Sequence, residues 1–206
     1  METPANLMTA GGPIVPLLLV MSVLSLALIV VKIVQFRGTL GGGDVRAAAV
    51  MKWSEGDRKA ATDILAQGQA PADRVLRAAM EALSAGRPKA AVDADMEWRG
   101  NAEIAALSRH IRLLELVAMI SPLLGLLGTV LGMIQSFQEL SAAGGAANAS
   151  ILAGGIWQAL LTTAAGLIVA IPAAVAASML GERVERTAHT IEAAVGQLLA
   201  SDRSSR

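Results

Sequence analysis

"SPLLGLLGTVLGMIQSF", residues 121–137, decides the fold. It carries no charge, lies between Glu115 and Glu139, and belongs to an uncharged stretch, 116–138, long enough to cross a bilayer. Such a crossing takes about 20 predominantly apolar residues. At its centre Thr129 stands among glycines. A hydroxyl at the middle of a membrane span calls for a packing partner or a polar pathway.

Outward from this stretch, charge is strongly segregated. The chain has 206 residues, 54% of them hydrophobic, and a net charge of zero. Thirteen of its Lys and Arg residues fall between Lys32 and Arg112, four between Arg183 and Arg206, and none in 1–31 or 113–182. Two further uncharged stretches, 3–31 and 140–181, complete the set. The last opens with "SAAGGAANAS", which is small, polar and turn-like. Three spans are therefore expected, at 14–36, 115–139 and 151–181. Lys32 and Arg37 follow the first apolar run and no basic segment precedes it, which marks a retained anchor rather than a cleaved signal.

Lys and Arg accumulate on the cytoplasmic side of membrane proteins. The expectation is an all-α membrane protein with its N-terminus out and C-terminus in. Residues 1–13 and the 140–150 loop would be periplasmic. The 37–114 region and the 182–206 tail would form cytoplasmic helical extensions.

Within 37–112 the pattern is helical without a large core of its own, and no linker defines a separate domain. "DVRAAAVMKWSEG" and "DRKAATDILAQGQ" read as short helices, and "PADRVLRAAMEALSAG" has proline near its start and glycine at its end. The segment from Pro88 is expected to run into the second span unbroken beyond Gly100, with Ile104, Leu107, Ile111 and Leu114 as its apolar stripe. The tail offers Val184, Ile191, Val195 and Leu198 as a face for packing on that helix. Trp53 and Trp98 read as packing or interface anchors, and His110 as a solvated or headgroup-level side chain. Basic residues alternate with acids and lack interleaved aromatics, so no nucleic-acid surface is expected.

The spans themselves carry polar stripes. Ser121, Gly125, Gly128, Thr129, Gly132 and Ser136 recur at spacings of three and four, and Gly128 and Gly132 form a GxxxG pair that permits close helix approach. In the third span Gly155, Ala159, Thr162, Thr163, Gly166, Ala170, Ala173, Ala177 and Gly181 share one side, opposite Leu161, Ile168, Val175 and Met179. The first span is mostly Leu, Val and Ile, with Ser22 and Ser25 as exceptions, and suits lipid. Two readings of the threonines stand together. Each hydroxyl can bond a backbone carbonyl one turn back, and each can face a narrow polar pathway. Pro122 and Pro172 lie inside their spans and can kink them.

No ionisable residue lies in the middle of any span. Proton relays usually need one, so a titrating carboxylate would have to come from another subunit. Cysteine is absent and only His110 and His189 occur, so no metal site or cofactor is expected, and no nucleophile and base set points to an enzyme.

"ISPLLGLLGTVLGMIQSFQEL" (120–140) and "ILAGGIWQALLTTAAGLIVAIPAAVAASML" (151–180) resemble the MotA/TolQ/ExbB proton-channel family, and within it the ExbB/TolQ branch. The match runs through Ser121, Pro122, Gly125, Gly128, Thr129, Gly132 and Met133, and then through Gly155, Ile156, Ala159, Leu160, Thr163, Ala164, Gly166, Leu167 and Pro172. "GGP" at 11–13 is similar as well.

The resemblance implies an inner-membrane homo-oligomer, generally a pentamer, whose second and third spans line a central pore. It implies a single-span ExbD- or TolR-like partner with a membrane aspartate, and a TonB- or TolA-like protein that receives the work. On that analogy Thr129 and Thr163 are the pore hydroxyls, with Thr162 weaker. Gln158 stands where many members have glutamate, so no carboxylate acts there. Three spans rather than four argue against the flagellar-stator branch, and the short N-terminus against members with a long outer extension.

Overall fold

The computed structural model describes residues 12–142 and 149–204. The outer expectations for residues 1–11 and for 143–148 in the loop lie outside the described residues. Among the described residues seven helices follow one another: α1 (Ile14–Gln35), α2 (Gly43–Ser54), α3 (Arg58–Leu65), α4 (Pro71–Ser84), α5 (Lys89–Ser108), α6 (Ile111–Ala142) and α7 (Ala149–Ser204). Among the described residues three helical stretches, Ile14–Gln35, Lys89–Ala142 and Leu152–Asp202, are long and apolar enough to cross a membrane. Pro122 and Pro172 lie inside α6 and α7 without ending either helix.

The chain divides into two units. The first comprises Met1–Val31 and His110–Ser178. In it α6 and α7 pair antiparallel. Contacts between them match Gly125 with Gly166, Gly128 with Thr162, and Gly132 with Ala159, so one number rises as the other falls. Ile14 and Leu18 of α1 pack on Val169, with Val117 and Leu124 of α6 beside them. Most other α1 side chains are exposed apolar groups such as Val23, Leu26 and Val31, consistent with a helix that turns most of its surface to lipid.

The second unit comprises Lys32–Arg109 and Met179–Arg206. Here the sequence reading is corrected: this region has a core of its own, completed by the tail. Trp53, Leu65, Leu76, Met80 and Met96 are buried together with Ile191, Val195 and Leu198. The core went unseen because α2 to α5 lack enough apolar faces alone, and the closing face lies about a hundred residues later in the chain. The tail face is as expected, with Val184, Ile191, Val195 and Leu198 all buried; Thr187 joins it, its Oγ1 donating to the Arg183 carbonyl at 2.8 Å.

A second correction concerns the entry to α6. The helix from Lys89 does not run on unbroken; it stops at Ser108 and restarts at Ile111. His110 adopts a left-handed φ of 70°, a conformation that histidine accepts more readily than most non-glycine residues. The predicted stripe survives on both sides of the break, since Leu107, Ile111 and Leu114 are buried and Ile104 is partly so.

Several charged groups of the second unit are inside. Lys32 is buried and its Nζ donates to Gln35 Oε1 and to the Leu107 carbonyl, each at 2.8 Å. Arg46 Nη1 lies 2.7 Å from Asp73 Oδ1 and also donates to the Gly41 carbonyl. Gly42, at φ 79°, lies beneath this pair: a Cβ there would come within 3.1 Å of the Asp73 carboxylate. Glycine is thus required both by backbone conformation and by space.

Candidate functional site

The candidate site is the seam between α6 and α7. Ser121, Gly125, Gly128, Gly132 and Ser136 are the buried positions of α6 over this stretch, and Ala159, Thr162, Gly166, Ala170, Ala173 and Ala177 recur on the facing side of α7. Their small size sets the distance between the helices. A Cβ on Gly125 would meet the Thr162 carbonyl oxygen at 2.9 Å and Thr163 Cα at 3.0 Å; one on Gly166 would meet the Ser121 carbonyl oxygen at 2.6 Å. These neighbours are backbone, so they cannot swing aside. Gly128 instead faces the side chain of Thr162, and Gly155 that of Ser136. The four glycines singled out from the sequence, Gly125, Gly128, Gly132 and Gly166, all lie on this seam.

The three threonines are not equivalent. Thr162 is 1% exposed and its Oγ1 lies 2.7 Å from the Ala159 carbonyl and 3.2 Å from that of Gly125. A hydroxyl has one proton to donate, and the shorter contact takes it. Thr163 is half-buried and its Oγ1 donates across the seam to the Gly125 carbonyl at 3.3 Å. Thr129, also half-buried, donates to the Leu126 carbonyl of its own helix at 2.6 Å. The expectation of a bond one turn back therefore holds for Thr129 and Thr162, and is corrected for Thr163, which reaches the neighbouring helix. Ser121 and Ser136 bond back to the Val117 and Gly132 carbonyls at 2.7 and 2.8 Å.

Gly125 is the hub of this arrangement. With no side chain it lets α7 approach, and its carbonyl, with two lone pairs, can accept more than one donor. Thr129 is one helical turn further along α6. Two hydroxyls are thus incompletely buried, Thr129 bonded within α6 to the Leu126 carbonyl and Thr163 bonded across the seam to that of Gly125, while Thr162 is sealed in the packing. Spacing alone grouped Thr162 with Thr163; their 100° separation around α7 is what assigns one to the interior of the seam and the other to its edge. Gln158 on the same helix is neutral and half-buried.

The sequence model of a family described as the MotA/TolQ/ExbB proton channel family matches residues 67–193, which include the whole seam. The chain is 48% identical over 82 residues to the biopolymer transport protein exbB1 of Vibrio cholerae, covering 40% of this chain and 36% of that protein. It is 44% identical over 84 residues to the Tol-Pal system protein TolQ of Haemophilus influenzae, covering 41% and 36%. It is 34% identical over 106 residues to the biopolymer transport protein ExbB of Salmonella typhimurium, covering 50% and 43%. The chain thus spans about a third to a half of the length of these curated relatives.

Proposed function

The chain belongs to the MotA/TolQ/ExbB proton channel family, and from that premise we propose that it is the ring subunit of a proton-motive-force-driven motor of the bacterial inner membrane. In this reading it acts as an ExbB-like protein that energises TonB-dependent transport across the outer membrane. The N-terminus and the 140–150 loop face the periplasm, and the second unit and the tail face the cytoplasm. Several copies, five by the family's pattern, surround the span of an ExbD-like partner. The partner supplies the aspartate that takes up and releases protons.

The observation that carries this reading is the pair of part-exposed hydroxyls at the seam, Thr129 beside Leu126 and Thr163 on Gly125, in spans whose middles hold no ionisable group. A neutral wall cannot bind a proton, but hydroxyls can donate to a carboxylate and accept from a carboxylic acid. They therefore stabilise both states of a titrating partner without competing for its proton. Thr162, sealed in the seam, serves packing instead.

The test is replacement by an isosteric residue without the hydroxyl. A hydrogen bond from a hydroxyl to a charged group contributes about 1.5–3 kcal/mol, so Thr129→Val and Thr163→Val should each lower energised uptake about tenfold or more with the oligomer still assembled. Wild-type uptake in both variants would leave a non-conducting scaffold, whose stripes only pack helices, as the better account.

The TolQ-named relative at 44% identity favours a second reading within the same chemistry, a TolQ-like subunit of the Tol-Pal envelope system. Co-purification with a TonB-like rather than a TolA-like protein separates the two.

A further inference from the structure

Two surfaces of the second unit remain unexplained by proton conduction, and they lie on opposite flanks of α5 at the same height. On one flank, α5 and α7 enclose a cavity of about 320 Å³. Its floor is apolar, from Met96, Ile104, Ile191 and Val195, and its rim is acidic, from Asp93, Glu97 and Glu192, with no Lys or Arg lining it. Gly100 and Gly196 leave it open. On the other flank Trp98 stands 70% exposed, on a surface with Arg74, Arg77 and Arg99 and also Glu81 and Glu103. An indole this exposed in the water-facing part of the chain is costly, and Trp and Arg are the side chains most often found as interface anchors. Two of the arginines have weak intrachain partners only: Arg77 lies 3.6 Å from Glu81, and Arg99 lies 3.5 Å from Asp95, all but Asp95 well exposed.

We propose that these two surfaces are halves of one contact between neighbouring copies of this chain: Trp98 of one copy enters the α5–α7 groove of the next, with Arg77 and Arg99 over its acidic rim. The two patches are different in kind: the groove has a wholly acidic rim that repels a copy of itself, and the Trp98 surface sets three arginines against two glutamates, so each suits the other better than itself. A contact of that sort is head-to-tail, and head-to-tail contacts close into rings when the rotation allows. Because both patches occupy the same stretch of α5, residues 93–106, copies standing side by side bring them into register without sliding along the helix. This inference rests on the ring reading above and adds to it the surfaces that set the neighbours.

The chain has no native cysteine, so designed pairs report unambiguously. A Cβ at position 196 would meet open space, and Trp98 is exposed, so both sites tolerate cysteine. The full chain carrying Trp98→Cys and Gly196→Cys together is oxidised in membranes; the expected result is a ladder of cross-linked multimers, lost when either substitution is made alone. A ladder or dimer of equal yield from Trp98→Cys alone would overturn the proposal, because it would mean a symmetric contact.

Charge reversal supplies the second arm. Glu97→Lys should cost most of the ladder, and adding Arg99→Glu should restore it; no loss, or no restoration, counts against the contact. Native mass of the uncross-linked protein separates two failures. A multimer without the 98–196 ladder overturns this contact and leaves the ring, and a monomer overturns both.

Discussion

Between Ala159 and Ala177 the buried face of α7 is built of alanine, glycine and threonine, with Val169 turned to α1; between Leu180 and Leu198 it is built mainly of leucine, valine and isoleucine, with one alanine and one threonine. The spacing of three and four residues is common to both halves, with the adjacent pair Ala194 and Val195 as an exception in the second. What changes is the solvent against which the helix packs. In lipid, burying leucine gains little over leaving it among acyl chains, so association rests on close approach and interhelical hydrogen bonds. In water, each buried apolar Å² contributes about 25 cal/mol, and large side chains are used. One helix thus follows two packing rules, each belonging to one unit.

The comparison breaks first at charge. The second unit tolerates a buried ion pair, Arg46–Asp73, because a partner and the Gly41 carbonyl satisfy it. Asp73→Ala leaves the guanidinium without its carboxylate, and removing one member of a buried pair costs about 3–5 kcal/mol. Chemical denaturation followed by fluorescence of Trp53, which lies in the same core, should show that loss. Replacing both residues by apolar ones of similar size should recover most of it. A small effect of the single change would mean that the pair is hydrated.

The next largest effect tests the seam. Gly166→Ala forces a methyl to within 2.6 Å of the Ser121 carbonyl oxygen, whereas Gly132→Ala places one 3.5 Å from the Ala159 methyl, an ordinary contact. Overpacking costs about 1–3 kcal/mol, while alanine in a helix gains about 0.5–1 kcal/mol over glycine. Thermal melts in detergent should therefore fall for the first variant and hold or rise for the second. Equal shifts would show that the seam is not set by close approach.

The stripes of this seam were legible because helical periodicity writes a buried face into one short segment. Three features were not. The break at Arg109–His110 contains neither glycine nor proline, and the apolar stripe continues through it, so nothing local announces the turn. Arg46 and Asp73 are 27 residues apart, and no spacing rule joins them. The core of the second unit needs the α7 tail, which follows two spans later. In the last two cases the missing information is a long-range partner. The same limit applied to the threonines: the resemblance ranked Thr162 below Thr163, but only the facing helix supplies the physical reason.

That distinction gives the third prediction. Thr162→Val removes a hydroxyl sealed in the seam, and interhelical or buried hydrogen bonds of membrane helices contribute about 0.6 kcal/mol on average and up to about 1.7. Thr129→Val removes a hydroxyl bonded only to its own helix and should change stability less. If the proposed function holds, the order reverses for energised uptake, where Thr129 matters more. Stability measured by denaturation and uptake measured in the same variants would therefore cross; parallel losses would place both threonines in packing.

The smallest effect lies at the far end of α7. Asp202 is buried, 2.9 Å from Lys89 Nζ and 3.5 Å from Arg58 Nη2, and Arg58 lies over the Trp53 ring at 5.0 Å. The hydrogen bond from Lys89, partly offset by burial, holds the Asp202 carboxyl below its ordinary range. A depressed carboxyl means that the unfolded chain takes up the proton first as pH falls. The contribution is complete at neutral pH, declines as pH drops through the ordinary carboxylate value of about 3.9, and is gone below the folded one. Arg58 and Lys89 remain partly in water, which keeps the effect modest. With Trp98 and Trp157 replaced by Phe, Trp53 fluorescence during acid titration should report loosening of the helix end in this window. Asp202→Asn should make that limb flat; an unchanged limb would assign the acid sensitivity to other carboxylates of the second unit.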